Sequence, residues 1–181
     1  MNYRPEDIPW GEVGYATYKR TYSRPTKGRT EEWEETVDRV VDACNKQLGC
    51  DFTPAEQADV KDIMMNLKGT VAGRFLWQLG TKTVDKLGLP SLQNCAFTVV
   101  DQPVRPFTWA FEMLMLGSGV GYNIQREHVY QLPKIKRKVK VANVNDHGAD
   151  FIVPDSREGW TELLKRVLEA SFVTGEGFTY D

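Results

Sequence analysis

Cys95 is the residue whose chemistry matters most if it does any. It stands in an apolar stretch, Cys95 to Val100, behind a polar entrance formed by Ser91 and Asn94. A thiol can attack an electrophile, donate hydrogen or join a disulfide, given a partner. The bland reading of a lone cysteine in such a run is a small buried hydrophobe. A second feature follows at Gly117, Ser118, Gly119, Val120, Gly121. Its bare backbone can approach a phosphate, sugar or base, or can simply close a helix and turn. It is neither a P-loop nor a dinucleotide fingerprint, because it ends a helix pattern and lacks the lysine-serine pair. A third feature is the cationic run Lys134, Lys136, Arg137, Lys138, Lys140, which reads first as a solvated edge.

Other reactive side chains form no recognisable set. His128 and His147 are the only histidines, and Cys44 and Cys50 lie six apart with no further ligand near them, so no metal site is expected. Cys44 reads as core. The acids Glu31, Glu32, Glu34 and Glu35 crowd a helix start, where solvation and the helix dipole account for them. Three cysteines, an odd count, argue for reduced thiols rather than a stapled secreted scaffold.

The elements that would position these residues can be read in order. Met1 to Lys27 has prolines and aromatics without a period, and reads as an extended arm. A helix should follow, capped by Thr30, with Trp33, Val37, Val40, Val41, Cys44 and Leu48 on one face and Gly49 as its stop. Thr53, Pro54 and Glu56 spell a capping box for a second helix, with Val60, Ile63, Met64 and Leu67 as its stripe. Cys95 to Val100 reads as a buried strand. After Pro106 comes a helix with Phe107, Ala110, Phe111 and Leu114 inward, then a short strand at Tyr122 to Gln125. Ile135, Val139 and Val141 suggest a half-buried ribbon with a cationic side. A last helix opens at Asp155 and Glu158, with Trp160, Leu163, Leu164, Val167 and Leu168 inward, and Phe178 to Asp181 resembles a strand start. No repeat or linker divides the 181 residues, so the expectation is one continuous α/β unit: an N-terminal arm and helical region at 1–90, then 91–181.

Composition limits the partners. A chain of this length, 41% hydrophobic, can bury roughly 70% of its unfolded surface. The net charge of −2 gives no basic field for duplex nucleic acid. No apolar run approaches a membrane span or a signal peptide, so a cytoplasmic location is expected.

Several segments, in order, resemble the monomeric adenosylcobalamin-dependent ribonucleoside-triphosphate reductases. These are Gly14 to Tyr22; Gly28, Arg29, Trp33, Glu35, Thr36 and Val37; Gly73 to Trp77; Ser91 to Cys95; Pro106 and Phe107; Gly119 to Gly121; and Pro154 to Trp160. The resemblance implies an N-terminal helical region followed by the first part of a reductase-type α/β barrel, incomplete in this chain. It implies that Cys95 is one of two thiols oxidised to a disulfide in turnover. Thr70, Asn94, Ser118 and Gly119 would line the substrate, although Val71 replaces the proline usual after the family's threonine. Val104, Arg105, Pro106, Phe107, Phe111 and Met115 match part of an effector-nucleotide region. The long insertion after the family's glycine turn is shortened here to Leu132–Phe151, and the radical cysteine and second redox cysteine have no counterparts. The implied partners are the C-terminal remainder of the reductase, adenosylcobalamin, a thioredoxin-type reductant, a ribonucleoside triphosphate and a deoxynucleotide effector. The competing reading is a nonenzymatic nucleotide-binding or allosteric module.

Overall fold

Aromatic spacing organises the first elements. The computed structural model describes residues 10–181 and shows a helix, α1 (Glu12–Thr21), where the sequence suggests an extended arm. The expectation fails because Tyr15, Tyr18 and Tyr22 recur at three- and four-residue steps, which is a helix period carried by rings instead of aliphatics. Trp10 stacks on Tyr18 with centroids 5.4 Å apart, and Trp33 meets Tyr18 edge-on at 5.2 Å. Residues before Trp10 fall outside the described part of that arm.

A two-strand hairpin, β1 (Pro25–Thr26) and β2 (Arg29–Thr30), turns the chain into α2 (Trp33–Leu48). Thr30 lies in the hairpin, and the cap is Glu32, in a reciprocal box with Glu35. Gly49 ends α2 in the left-handed region at φ 67°, as its position suggests. The next helix, α3 (Pro54–Met65), starts at the Thr53–Glu56 box that the sequence spells. Its buried residues are Met64 and Met65, while Ile63 is 45% exposed. Two short helices, α4 (Gly73–Gln78) and α5 (Lys82–Leu87), and a 3₁₀ turn at Leu89–Leu92 complete the unit. The core joins Val37, Val40 and Val41 to Met64, Leu76, Leu79 and Leu92.

Glu31 is not one of a solvated acidic group: it is 8% exposed and ties four elements together. Its carboxylate accepts from Arg39 Nε at 2.7 Å and Nη2 at 2.9 Å, from Thr36 Oγ1 at 2.8 Å and from the Arg24 amide at 3.2 Å. Its carbonyl accepts from the Tyr18 hydroxyl, Lys19 Nζ and Ser23 Oγ. Arg39 also donates to the carbonyls of Leu76 and Leu79.

The second compact unit, Asn94–Asp181, is built from two βαβ steps. In the first, β3 (Cys95–Val99), α6 (Arg105–Met115) and β4 (Gly119–Asn123) place the two strands parallel. The strand expected at Tyr122 to Gln125 begins earlier, at Gly119, and ends at Asn123, whose Oδ1 accepts from the Gln125 amide and turns the chain out of it. A short helix follows, α7 (Arg126–Val129). In the second step, β5 (Val141–Asn143), α8 (Arg157–Glu169) and β6 (Phe178–Tyr180) repeat the parallel arrangement, and Phe151 bridges the other side of β6.

Other expectations in this unit need correction. β3 is only half-buried, with Phe97 63% exposed. The inward face of α6 is Pro106, Ala110 and Met113, while Leu114 is exposed. Ser156 rather than Asp155 caps α8, accepting from the Gly159 amide at 3.0 Å, and Trp160 is exposed. The cationic ribbon is irregular up to Val141, with Lys138 at φ 68°, because the pairing with β6 reaches back only as far as Lys140. No helix among the described residues is long and apolar enough to cross a membrane.

Breaking the Glu31–Arg39 pair from one side should be costly. Glu31→Gln is expected to lower stability by about 3 kcal/mol, since it strands a nearly buried guanidinium; a shift of the urea midpoint measures it. Burial pushes the Glu31 carboxyl up, but the Arg39, Thr36 and Arg24 hydrogen bonds and the Arg39 charge outweigh it and leave it below the ordinary value. Its contribution is therefore complete above the unfolded value near about 4.3 and is lost as pH falls through the lowered folded value. The glutamine variant should show a shallower acid limb than the parent. Tyr18, pushed up to about 12 by burial, gives the opposite sign. Its contribution is complete below about 10 and is lost as pH rises through about 12.

Candidate functional site

Four of the five residues expected at the reaction centre meet at one end of the β3–β4 pair. The helix α6 closes with Gly117 at φ 82°, and the Ser118 amide returns to the Met113 carbonyl at 2.9 Å. That reversal lets β4 start beside the start of β3. Cys95 stands opposite Gly119 in the register, and the Gly119 amide donates to the Asn94 carbonyl at 2.9 Å. Asn94, Cys95, Ser118 and Gly119 thus share the amino end of two parallel strands. Cys95 is exposed there, contrary to a buried-hydrophobe reading, and Ser118 is buried.

The three glycines of the run serve different purposes. Gly117 needs its positive φ for the turn. A Cβ on Gly121 would come within 3.1 Å of the Phe97 ring, so this glycine makes room for a neighbouring side chain. Gly119 is unlike both: a Cβ there would meet nothing closer than the Asn94 carbonyl oxygen at 3.9 Å, and its backbone is an ordinary strand. The fold does not require glycine at 119. Beside an exposed thiol, it leaves main chain open to an approaching molecule.

Thr70 belongs to the first unit. It lines an apolar cleft of about 280 Å³ with Trp10, Tyr18, Tyr22, Trp33 and Leu76. The residues expected to meet an effector separate into groups. Val104 precedes α6 and accepts from the Phe107 and Thr108 amides. Arg105 and Pro106 line a second cleft of about 280 Å³ with Phe97, Asp101, Gln102 and Trp109. Phe107 and Phe111 are half-buried, and Met115 is exposed at the far end of the helix. Four strand steps, roughly 13 Å, separate Cys95 from Val99 at this cleft. Asp101, Gln102 and Trp109 were missed from sequence, where only their position around the start of α6 marks them. The two histidines form no catalytic set: His147 is 99% exposed and His128 neighbours Glu127.

Comparison with known proteins shows a likeness to one class of enzyme. Residues 1–81 match the ribonucleotide reductase alpha domain. The structure superposes, at a TM-score of 0.76 and 26% identity, on a crystal structure of a B-12 dependent (class II) ribonucleotide reductase, covering 96% of this chain and 32% of that one. The chain is a homologue of the adenosylcobalamin-dependent ribonucleoside-triphosphate reductases, as the sequence resemblance implies. It is 30% identical to the Lactobacillus helveticus (strain DPC 4571) enzyme over 223 residues, covering 90% of this chain and 30% of the relative. It is 31% identical to a putative reductase of the same name from Mycobacterium phage D29 over 191 residues, covering 92% and 27%. The chain thus spans about 30% of the length of its relatives. An alignment of 223 positions against 181 residues also means that the bacterial relative carries residues inside the matched region that this chain lacks. The structural match supports mixed helix and strand with the barrel unclosed.

The glycine contrast can be tested directly. Gly119→Ala should leave thermal stability within about 0.5 kcal/mol of the parent, as a substitution without strain or clash does. Gly117→Ala should cost about 1 kcal/mol for its left-handed backbone. Thermal melts of the two variants distinguish these outcomes.

Proposed function

We propose that this chain supplies the substrate-reducing thiol and part of the substrate wall of a ribonucleoside-triphosphate reductase that works with adenosylcobalamin. The observation that carries the reading is the exposed Cys95 thiol paired in register with an unobstructed Gly119. Asn94 and the backbone around Ser118 and Gly119 contact the ribose and base. Cys95 and a second thiol together give up two protons and two electrons. One hydrogen ends on the 2′ carbon, the other leaves with the 2′ hydroxyl as water, and the sulfurs join as a disulfide. A thioredoxin-type dithiol restores them.

Cys95 is the only cysteine of the second unit, so its partner comes from elsewhere. The two clefts beside β3, about 280 and 370 Å³, are too small for a corrin with its adenosyl group, which exceeds the drug-sized ligands held by pockets of about 300–1,000 Å³. These residues do not fit the cofactor, and its contacts are assigned to the complementary C-terminal part of the reductase. That part also supplies neighbours for β3 and β4, whose ladder contains two strands. The cleft at Arg105 and Pro106 is the place proposed for an effector nucleotide: guanidinium and aromatic ring are suited to phosphate and base respectively.

Mixing this chain with a matching C-terminal reductase part, adenosylcobalamin, a dithiol and a labelled ribonucleoside triphosphate should yield deoxynucleotide only when both polypeptides are present. Inactivity after demonstrated assembly of two folded pieces would instead favour a nucleotide-binding module. In the assembled enzyme, Cys95→Ser should abolish repeated turnover while leaving nucleotide affinity within about twofold, a change below roughly 0.5 kcal/mol. Undiminished dithiol-driven turnover would remove Cys95 from the mechanism.

A further inference from the structure

Cys44 and Cys50 lie six positions apart in sequence but only the width of a single helix cap apart in space. Gly49, at φ 67°, reverses the chain after α2, and the Cys50 amide donates to the Cys44 carbonyl at 3.1 Å. With that N–H aimed at the oxygen, standard bond lengths and angles place the Cys50 Cα about 4 Å from it and the Cys44 Cα about 2.4 Å from it. The two Cα atoms are therefore no more than about 6.4 Å apart, inside the usual disulfide range of roughly 4.4–6.8 Å. Burial first, and then the neighbouring Cys50 thiol, pushes the Cys44 thiol up from its ordinary value. Their exposures differ, since Cys44 is 9% exposed on the core side of α2 and Cys50 faces solvent.

We propose that Cys44 and Cys50 form a thiol–disulfide exchange site, separate from the reductase thiol Cys95, that takes small or protein disulfides as its oxidant. The exposed Cys50 thiolate attacks one sulfur of the incoming disulfide, forms a mixed disulfide and releases the first thiolate. Cys44 then gives its proton to solvent and attacks the Cys50 sulfur, expelling the second thiolate. Two electrons pass from the protein thiols to the incoming disulfide, and the two protons end on the released thiols. The order of attack follows from access, and from burial, which pushes the Cys44 thiol up and so disfavours its thiolate. The cap holds the two Cα atoms within the range a disulfide spans, and the Asn45 side chain holds the following segment by accepting from the Phe52 amide at 2.8 Å and donating to the Phe52 carbonyl at 2.9 Å. The inference stands independently of the reductase reading.

The full chain would be incubated in glutathione buffers of increasing oxidised fraction, quenched with acid, alkylated and digested with trypsin. Cleavage after Lys46 separates the two cysteines, so a covalent link between the peptide carrying Cys44 and the peptide carrying Cys50 reports the bond directly. The expected result is appearance of that linked pair, two hydrogen masses below the sum of its two reduced peptides, reversed by dithiothreitol. Cys50→Ser should take up no glutathione at Cys44. Cys44→Ser should stop at a stable glutathione adduct on Cys50, at least tenfold more abundant than in the parent. The proposal is overturned if the parent accumulates the Cys50 adduct without the linked peptides, or if both thiols survive a large excess of oxidised glutathione. Cys50 lies on the surface, so its serine variant also serves as the folded control.

Discussion

A single buried carboxylate sets the arrangement of the first unit. Glu31 follows the β-hairpin and collects donors from α1, the hairpin entrance and α2, while its partner Arg39 reaches the end of α4. An ion so far from water is tolerated only when its oxygens are fully used and its counter-ion is close. Both conditions constrain the neighbours. Tyr18 must present its hydroxyl at the right height of α1, Thr36 must lie one turn into α2, and Gly80 must have no side chain, because a Cβ there would strike the Arg39 stem at 2.5 Å.

How far the sequence discloses the structure depends on whether information is local. The Thr53–Glu56 box and the Gly49 stop are contained within a few residues, and both were readable. Helix α1 was missed because its periodic residues are tyrosines, and an aromatic stripe beside prolines resembles an irregular arm. Glu31 was misread for a different reason. Nothing about four nearby glutamates says which one is buried; that depends on Arg39 and Tyr18 arriving from other elements. The cationic stretch failed in the opposite sense, since alternation of Ile135, Val139 and Val141 imitates a strand where the pairing partner reaches only as far back as Lys140.

At the candidate site the same distinction holds. Cys95 and the glycine run were legible as residue types, but their meeting depends on the length of α6, which returns the chain so that position 119 falls beside position 95. Their separate uses of glycine were not legible at all. A turn, a ring overhead and an open strand all read as the same letter, and only the atoms around each Cα tell them apart. Thr70 illustrates the remaining limit: it sits among aromatic side chains of its own unit, and its place near a substrate rests on family likeness.

The parallel pairing of β3 with β4 has a consequence for how the protein comes into being. Asn94 and Gly119, whose hydrogen bond joins the amino ends of the strands, lie only 25 positions apart, and every residue between them belongs to the same βαβ step. Closing a loop of that size carries a modest entropic cost that grows only slowly with length. Structures dominated by such short-range closures reach their native contacts early, without waiting for distant chain to be found. The register of the thiol and its open glycine is therefore set within one short step of chain, with no distant segment needed to bring positions 95 and 119 together.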